Sequence, residues 1–266
     1  MMNGGNTMAN QVFGKPSCIN DYTFTYCPGC GHGVVNRLLG EAIDELGIVE
    51  DFIGCAYIGC AGMMTNFYDT DWMFPLHGRS PAVATGIKRV RPEAIVVGYQ
   101  GDGDLAAIGT AEIVHAATRG ENLTVIFVNN SNYGMTGGQM APTTLIGQKT
   151  ATTPMGRIAE YHGMPIRMSE MLAQLEGVCY AERVAVDNVA NIRKTKAAIK
   201  KGIQNQIDKK GFSIIEILSP CPVQWGLKPT DACKRITDVV TKTYPLKVFK
   251  DVDTTVSERA KEAFNG

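Results

Sequence analysis

The chain has 266 residues, a size at which one large hydrophobic core is still favoured over two small ones. Lys and Arg together number 26, as do Asp and Glu, so the net charge is zero and no basic field attracts nucleic acid or an anionic membrane. The N-terminal residues lack the apolar stretch of a secretion signal, and the apolar runs are too short to span a bilayer. We therefore expect a cytoplasmic protein with one large domain that binds neither nucleic acid nor membrane.

The first 20 residues are predicted to form an N-terminal arm, and residues 21–266 are predicted to form the folded domain with its C-terminal extension. Within that domain, short apolar runs alternate with longer segments of helical periodicity. Strands are predicted at 51–57, 94–100, 123–129, 182–187 and 212–218, and helices at 34–46, 105–118 and 189–209. This alternation predicts an α/β fold in which a parallel sheet is flanked by helices.

In such a sheet, ligands bind beyond the carboxyl ends of the strands. The loops that begin at Gly101, Asn130 and Ser219 are therefore expected on the functional edge. Residues 136–153 also follow a strand directly, and they carry Gly, Pro, Thr and Gln with little periodicity. We expect them to form a long functional loop rather than a linker.

The sequence Gly101-Asp102-Gly103-Asp104 lies between a predicted strand and a predicted helix. Glycines allow a sharp turn and a close approach to phosphate oxygens, and the start of a helix offers unpaired N–H groups. A carboxylate would repel a bare phosphate, but Asp102 can hold a magnesium ion that bridges to a diphosphate, because magnesium prefers oxygen ligands. The motif therefore indicates a site for magnesium and a diphosphate.

A second polar turn, NNSNYG at residues 129–134, ends the next strand. One parallel strand–helix–strand step separates the two turns, so Asp102 and Asn130 are expected to be neighbours on one sheet edge. Each motif alone is also typical of an ordinary turn, since Gly, Asp and Asn suit turns for backbone reasons. Together, at this spacing, they predict two oxygen-bearing side chains on one ion.

The sequence contains eight cysteines, and in a chain of this length without a secretion signal their thiols are expected to stay reduced. Cys27 and Cys30 form a CxxC pair, which can be a redox disulfide, half of a zinc site or part of an iron–sulfur cluster. Cys60 and Cys221 lie at expected strand ends on the edge that carries Asp102. A site with four thiolates is therefore predicted, and zinc would fit the same ligands.

The other four cysteines are expected to be structural, because free cysteine is a common buried residue. They are Cys18, Cys55, Cys179 and Cys233. Cys55 lies nearest in sequence to Cys60 and is the alternative ligand.

Six motifs follow one another between about residue 26 and residue 222: CPGCGHG, IGCAG, LHGRSPAVATGIK, GDGDLAAIGTAEIVHA, NNSNYGMTGGQMAPTT and SPC. In this order they resemble the β-subunits of 2-oxoacid:ferredoxin oxidoreductases. The GDG and NN pair alone is similar to the thiamine-diphosphate motif of decarboxylases, transketolases and oxoacid oxidoreductases. The resemblance implies the thiamine-diphosphate-binding fold and the oxidative decarboxylation of a 2-oxoacid to acyl-CoA and carbon dioxide.

The resemblance also implies roles for individual residues. Magnesium would be bound by the side chains of Asp102 and Asn130 and by the main-chain carbonyl of Asn132. His77 and Arg79 would lie near the substrate as catalytic residues, although a loop cap and a solvated charge are equally ordinary uses for them. The cofactor would be contacted by Ile58, Gly59, Cys60, Ala61, Gly101, Gly103, Asp104, Gly134, Met135 and Thr136.

A thiamine site favours an iron–sulfur cluster over zinc for the four cysteines. When carbon dioxide leaves a 2-oxoacid, the remaining carbon is electron-rich and needs an acceptor for its electrons. A 4Fe–4S cluster accepts electrons one at a time, whereas zinc has no redox chemistry. We therefore expect a 4Fe–4S cluster on Cys27, Cys30, Cys60 and Cys221.

Residue 137 bears on the choice of substrate. Relatives that favour dicarboxylic or broadly chosen 2-oxoacids often carry Lys where this chain has Gly137, so a second carboxylate would lack a partner here. Met63 and Met135 also favour an apolar pocket. We expect a branched-chain acid such as 2-oxoisovalerate, ahead of 2-oxoglutarate or pyruvate.

The chain has room only for the diphosphate-binding domain, so a partner α-subunit is expected to supply the pyrimidine-binding domain and its activating glutamate. Coenzyme A is the expected co-substrate, ferredoxin or a ferredoxin-like δ-subunit is the expected electron acceptor, and a γ-subunit can complete the complex. A non-oxidative thiamine-diphosphate decarboxylase or carboligase shares the GDG and NN motifs, but is normally longer and lacks the four cysteines. A non-catalytic iron–sulfur or zinc protein is the other alternative.

Overall fold

The computed structural model describes residues 14–56 and 58–265, and their strands form one seven-stranded sheet. The strands lie in the order β2-β1-β3-β4-β6-β5-β7. All are parallel to their neighbours except β7, which is antiparallel to β5. They are β1 (Phe52–Cys55), β2 (Asp71–Met73), β3 (Ile95–Gly101), β4 (Thr124–Asn129), β5 (Val178–Ala185), β6 (Phe212–Leu218) and β7 (Lys247–Asp251).

The longer helices connect successive strands, and short ones lie in the loops. The α-helices are α1 (Gly31–Leu46), α2 (Ser80–Val90), α3 (Thr110–Thr118), α4 (Ala159–His162), α5 (Met168–Leu172), α6 (Val189–Ile207), α7 (Pro222–Trp225), α8 (Pro229–Arg235), α9 (Thr241–Thr243) and α10 (Val256–Asn265). Val49–Asp51 and Gly59–Asn66 form 3-10 helices, and Asp104–Ile108 and Ile236–Val240 form π-helical turns. None of the described helices combines the length and the apolar content needed to cross a bilayer.

Two apolar cores lie on opposite faces of the sheet. Alternate residues of β4 point to opposite faces, so Ile126 and Val128 join the core under α1 and α6, while Val125 and Phe127 join the core under α2 and α3. Every residue of β4 is buried, as expected for a parallel strand covered on both faces. The predicted parallel sheet flanked by helices is therefore confirmed.

Some predicted boundaries were wrong. Strand β5 begins at Val178, four residues before its predicted start, and the edge strands β2 and β7 were not predicted. The helix predicted over 105–118 is interrupted at Gly109, because the backbone of Gly78 packs there: a Cβ added to Gly78 would lie 2.6 Å from Gly109 N. The chain forms a π-helical turn before α3 instead of one continuous helix.

Residues 1–13, most of the predicted N-terminal arm, lie outside the described residues. Of the remainder, Cys18 and Ile19 are buried, and the main-chain N–H of Ser17 donates a 2.6 Å hydrogen bond to Asp44 of α1. This short segment therefore packs on the domain itself. The division of the chain at residue 20 stays a prediction.

Candidate functional site

A cavity of 470 Å³ opens at the carboxyl ends of β1, β3 and β4. Its walls come chiefly from three loops, residues 58–63, 101–104 and 130–136, each of which follows one of these strands. The three strands are adjacent in the sheet, so their carboxyl ends lie side by side. The structure brings to this cavity every residue predicted to contact the cofactor: Ile58, Gly59, Cys60, Ala61, Gly101, Gly103, Asp104, Gly134, Met135 and Thr136. It also brings Asp102, Asn130, Asn132 and His77.

Asp102 is a buried carboxylate on the cavity wall, with 3% of its surface exposed. It accepts hydrogen bonds from Gly103 N–H at 2.8 Å and from the Thr143 hydroxyl at 2.6 Å. Burial raises its pKa to about 7, and these hydrogen bonds offset only part of that effect. Among the described residues no cationic side chain forms an ion pair with Asp102, so a bound cation would favour its charged form.

The loop after β4 places two asparagines beside Asp102. Asn132 N–H donates to Asn130 Oδ1 at 3.3 Å, and Asn132 Nδ2 donates to the Asn130 carbonyl at 2.9 Å. The Trp225 indole also donates to this carbonyl, at 3.1 Å. Ser131 between them has a φ of 57°, the left-handed region that residues other than glycine seldom adopt. The backbone is thus held in one sharp turn, and Asn130 and Asn132 both line the cavity.

Gly103 is required by close packing in the GDG turn. A Cβ added to it would lie 2.1 Å from Cε1 of Tyr133. The Tyr133 ring therefore lies directly against the backbone of the turn, and only glycine permits that contact. This contact joins the two motifs, which are one strand apart.

The thiols of Cys60 and Cys221 lie beside the same loop. A Cβ added to Gly134 would be 3.5 Å from Cys60 Sγ, 3.7 Å from Cys221 Sγ and 3.6 Å from Asn130 Nδ2. The two sulfur atoms and the side-chain amide of Asn130 therefore converge on the side of Gly134 from which a side chain would project.

Cys27 and Cys30 approach these two cysteines through the start of α1. Gly31 N–H donates to the Pro220 carbonyl at 3.1 Å, which joins the CxxC segment to the loop of Cys221. Burial, with a smaller contribution from negative charge on Cys221, Cys60 and Cys27, raises the pKa of Cys30 to about 12. The four thiols are thus within electrostatic reach of one another. In the described residues, no group of three or more His, Cys, Asp or Glu side chains is arranged to hold a metal ion.

The remaining cysteines lie elsewhere. Cys55 packs in the core on the α2 and α3 face, with Ala84 and Val96 among its neighbours, and it does not line the cavity. Cys18 and Cys179 are also buried, and Cys233 is half-buried. These positions agree with structural roles and leave Cys55 a poor alternative to Cys60.

Of the two predicted catalytic residues, one lies at the cavity and the other does not. His77 lines the cavity, and its Nδ1 lies 2.5 Å from Asp104 Oδ1. Arg79 is absent from the cavity lining, and its guanidinium forms an ion pair with Glu112 of α3. The position of Arg79 is therefore that of a residue that anchors the loop, and a catalytic role for either side chain stays a prediction.

Several residues of the site were missed from the sequence, among them Thr143 and His32. Thr143, which holds Asp102, lies in the quoted loop, but its partner is 41 positions away. His32 belongs to CPGCGHG and lines the cavity, where its Nδ1 lies 2.7 Å from the Tyr99 hydroxyl and its ring stacks on Tyr26. Burial lowers the pKa of His32 to about 4, so this imidazole is neutral at physiological pH.

Comparison with known proteins agrees with this geometry. The family model for the thiamine pyrophosphate enzyme, C-terminal TPP binding domain, matches residues 53–217. Ketoisovalerate oxidoreductase subunit VorA of Methanothermobacter thermautotrophicus is 44% identical over 254 residues, which cover 92% of this chain and 53% of that protein. 2-Oxoglutarate synthase subunit KorB of Methanocaldococcus jannaschii is 41% identical over 215 residues, which cover 79% of this chain and 75% of that protein. The chain thus spans about half the length of the VorA relative.

A solved structure of similar fold is the 2-oxoglutarate:ferredoxin oxidoreductase from Magnetococcus marinus with 2-oxoglutarate, coenzyme A and succinyl-CoA bound. One of its chains matches with a TM-score of 0.73 and 27% identity, and the match covers 98% of this chain and 93% of that one. The family model covers more than half of this chain, and KorB is matched over most of its own length. The chain therefore belongs to the thiamine-diphosphate-binding subunits of the 2-oxoacid:ferredoxin oxidoreductase family.

Proposed function

We propose that this chain is the β-subunit of an enzyme that converts a 2-oxoacid and coenzyme A to acyl-CoA and carbon dioxide, and passes the electrons through a 4Fe–4S cluster to ferredoxin. The observation that carries the proposal is the position of Gly134. The amide of Asn130 and the sulfur atoms of Cys60 and Cys221 all lie within contact distance of a Cβ built there. A cofactor held at Asn130 would react beside thiols that can carry electrons away.

The residues present fit magnesium and thiamine diphosphate. The side chains of Asp102 and Asn130 and the main-chain carbonyl of Asn132 would hold the ion, since magnesium takes oxygen ligands. Asp102 is buried without an ion-pair partner among the described side chains, so a divalent cation would supply the missing positive charge. Thiamine diphosphate, when bound, supplies the carbon nucleophile and electron sink that decarboxylation of a 2-oxoacid needs.

The protein's own contribution is to bind and orient. Gly101 and Gly103 would let the backbone approach phosphate oxygens, and the π-helical turn Asp104–Ile108 follows them directly. Thr143 orients the Asp102 carboxylate through its 2.6 Å hydrogen bond. Ala61 and Met63 also line the cavity, and their apolar side chains would help to exclude water from it.

Cys27, Cys30, Cys60 and Cys221 would hold the cluster, which supplies one-electron redox chemistry. Burial and mutual repulsion raise the pKa of Cys30 to about 12 and that of Cys221 to about 11. Thiolates there require the positive charge of bound metal, as is usual for ligand cysteines. Zinc remains the alternative occupant, because it accepts the same four ligands.

A branched-chain substrate is proposed from the apolar lining of the cavity. Met63 and Met135 line it, and no Lys or Arg appears among its described lining residues. Gly137 has a φ of 109°, a conformation that a lysine would adopt only with strain. The name of the VorA relative, ketoisovalerate oxidoreductase, supports the same choice, whereas the name of the KorB relative supports 2-oxoglutarate as the runner-up.

A partner α-subunit is proposed to complete the site with a pyrimidine-binding domain, and ferredoxin or a δ-subunit to take the electrons, with a γ-subunit as a further component. Strongly exposed apolar side chains follow the site loop, at Met155, Tyr161 and Met164, which are 85%, 83% and 71% exposed. Exposed apolar groups of this kind suit burial against another subunit. We therefore expect the isolated chain to catalyse no turnover.

The test is anaerobic reconstitution with the candidate partner subunits. We expect CoA-dependent reduction of methyl viologen, faster with 2-oxoisovalerate than with pyruvate, 2-oxoglutarate or aryl pyruvates. Absorbance at about 400 nm, typical of thiolate-bound iron, should bleach when the 2-oxoacid is added. A zinc-loaded complex without bleaching would contradict the cluster, and an isolated chain that oxidises 2-oxoisovalerate would contradict the need for an α-subunit.

A further inference from the structure

The second carboxylate of the GDGD motif, Asp104, is fully engaged by protein donors. Its Oδ2 accepts a hydrogen bond from Gln100 Nε2 at 2.6 Å, and its Oδ1 accepts one from the main-chain N–H of Gly78, also at 2.6 Å. His77 Nδ1 lies 2.5 Å from the same Oδ1. The side chain is buried, with 7% of the residue exposed. Asp104 therefore lines the cavity but presents its oxygens to the protein rather than to a ligand.

The orientation of Gln100 shows that the carboxylate requires donors. Its Nε2 points to Asp104, and its Oε1 is buried without a hydrogen-bond partner among the described residues. The Gln100 amide thus donates from Nε2 while its Oε1 accepts no hydrogen bond, and leaving a buried oxygen without a donor is costly. Since an ionised carboxylate only accepts hydrogen bonds, the third contact must be a donor too, and His77 carries its proton on Nδ1.

The imidazole cannot easily leave this position. Gly78 has a φ of 78°, and the backbone of Gly109 is so close that a side chain at Gly78 would collide with it. On the other side of Gly78, Arg79 is paired with Glu112. His77 Nε2 has no hydrogen-bond partner among the described residues, although the ring lines the cavity with Asp102 and Asn130. The fixed tautomer leaves a free lone pair on Nε2.

We infer that Asp104 is a positioning residue that holds His77 as a proton acceptor for the substrate. This inference rests on the proposed function. The keto oxygen of the substrate takes up a proton from solvent when its carbon is attacked, and it must lose that proton when the acyl product regains its carbonyl. In that step the O–H bond breaks, its electron pair forms the C=O bond, and the proton moves to His77 Nε2. The oxidation electrons leave to the ferredoxin-type acceptor, and the Asp104 carboxylate stabilises the imidazolium that forms.

The substitution Asp104→Asn tests the effect of the negative charge separately from that of the hydrogen-bond geometry. The amide of Gln100 can turn over and offer Oε1 to the new NH2 group, so the hydrogen-bonded frame is kept while the negative charge is lost. In the reconstituted complex we expect kcat to fall by about 100-fold, the lower range for general bases, with KM changed little. His77→Gln, which keeps a donor to Asp104 but has no basic nitrogen, should lose activity to the same degree with iron content unchanged.

A second readout needs no turnover. Diethyl pyrocarbonate acylates neutral imidazole, and peptide mass spectrometry would give the rate at His77 relative to His115, which is exposed in this chain. We expect Asp104→Asn to lower this ratio several-fold, because the carboxylate increases the nucleophilicity of Nε2. Glu112→Gln, which removes the other anchor of the loop, should leave the ratio unchanged.

An unchanged ratio in Asp104→Asn, or a His77→Gln enzyme with kcat within about threefold of the wild type, overturns the inference, since general bases contribute far more. If the wild-type complex oxidises no 2-oxoacid, but Asp104→Asn still lowers the labelling ratio of His77 to His115, the proposed function is refuted and the Asp104–His77 pairing stands.

Discussion

Replacing Arg183 with methionine should destabilise the domain by about 3 kcal/mol. Arg183 and Glu216 are both buried, and Arg183 Nε lies 2.9 Å from Glu216 Oε2. Removing one partner of a buried ion pair costs about 3–5 kcal/mol, because the other charge is left uncompensated. The lower end applies here, since Glu216 keeps hydrogen bonds from Asn129 at 2.8 Å and from Ser169 at 2.6 Å. Equilibrium unfolding in urea would measure the loss.

Two further variants make this prediction specific. In the double variant Arg183→Met with Glu216→Gln, the buried unpaired charge is gone. Only the carboxylate of Glu170, whose side chain is 28% exposed to water, still lacks the arginine, so most of the lost stability should return. Lys201→Met removes an ion pair with Asp251 in which both side chains are about two-fifths exposed, and it should cost less than about 1 kcal/mol. If Arg183→Met is no more costly than Lys201→Met, or if the double variant loses the sum of its parts, the reasoning is refuted.

Three other predictions concern the site. Thr143→Val removes the hydrogen bond to Asp102, so magnesium affinity of the assembled enzyme should fall about tenfold in titration calorimetry; an unchanged affinity would argue against Asp102 as a ligand. Gly103→Ala forces Tyr133 to move and should abolish binding of thiamine diphosphate, whereas Gly33→Ala, which meets nothing within 4 Å, should not. Burial raises the pKa of Cys18 and Cys55 to about 12, and since the thiolate is the reactive form, iodoacetamide at about pH 8 should label them only after unfolding, as followed by mass spectrometry.

The strands were predictable where burial on both faces makes the sequence continuously apolar, as in β4 and β6. The predicted β5 began at Glu182 and left out the apolar first half of the strand, residues 178–181. Glu182 and Arg183 divide the apolar run of this strand, and Glu216, the partner that permits Arg183 to be buried, lies on another strand. Strand β7 carries two lysines and pairs antiparallel with β5 at the edge of the sheet. Neither the pairing of Arg183 with Glu216 nor the pairing of β7 with β5 leaves a local signal in the sequence.

The cavity was predictable from topology, because adjacent parallel strands end at the same edge and carry Asp102 and Asn130 there. The direction in which individual side chains point was not predictable from topology. Arg79 was expected at the substrate, but it turns to Glu112, which the sequence places on a different helix. Asp104, expected on the cofactor, lines the cavity, and its oxygens face Gln100, His77 and Gly78.

The backbone contact between Gly78 and Gly109 couples two parts of the molecule mechanically. The loop after β2 and the first residue before α3 touch without an intervening side chain, so neither can shift by much unless the other moves with it. A shift of the start of α3 would therefore move the loop that carries the imidazole at position 77.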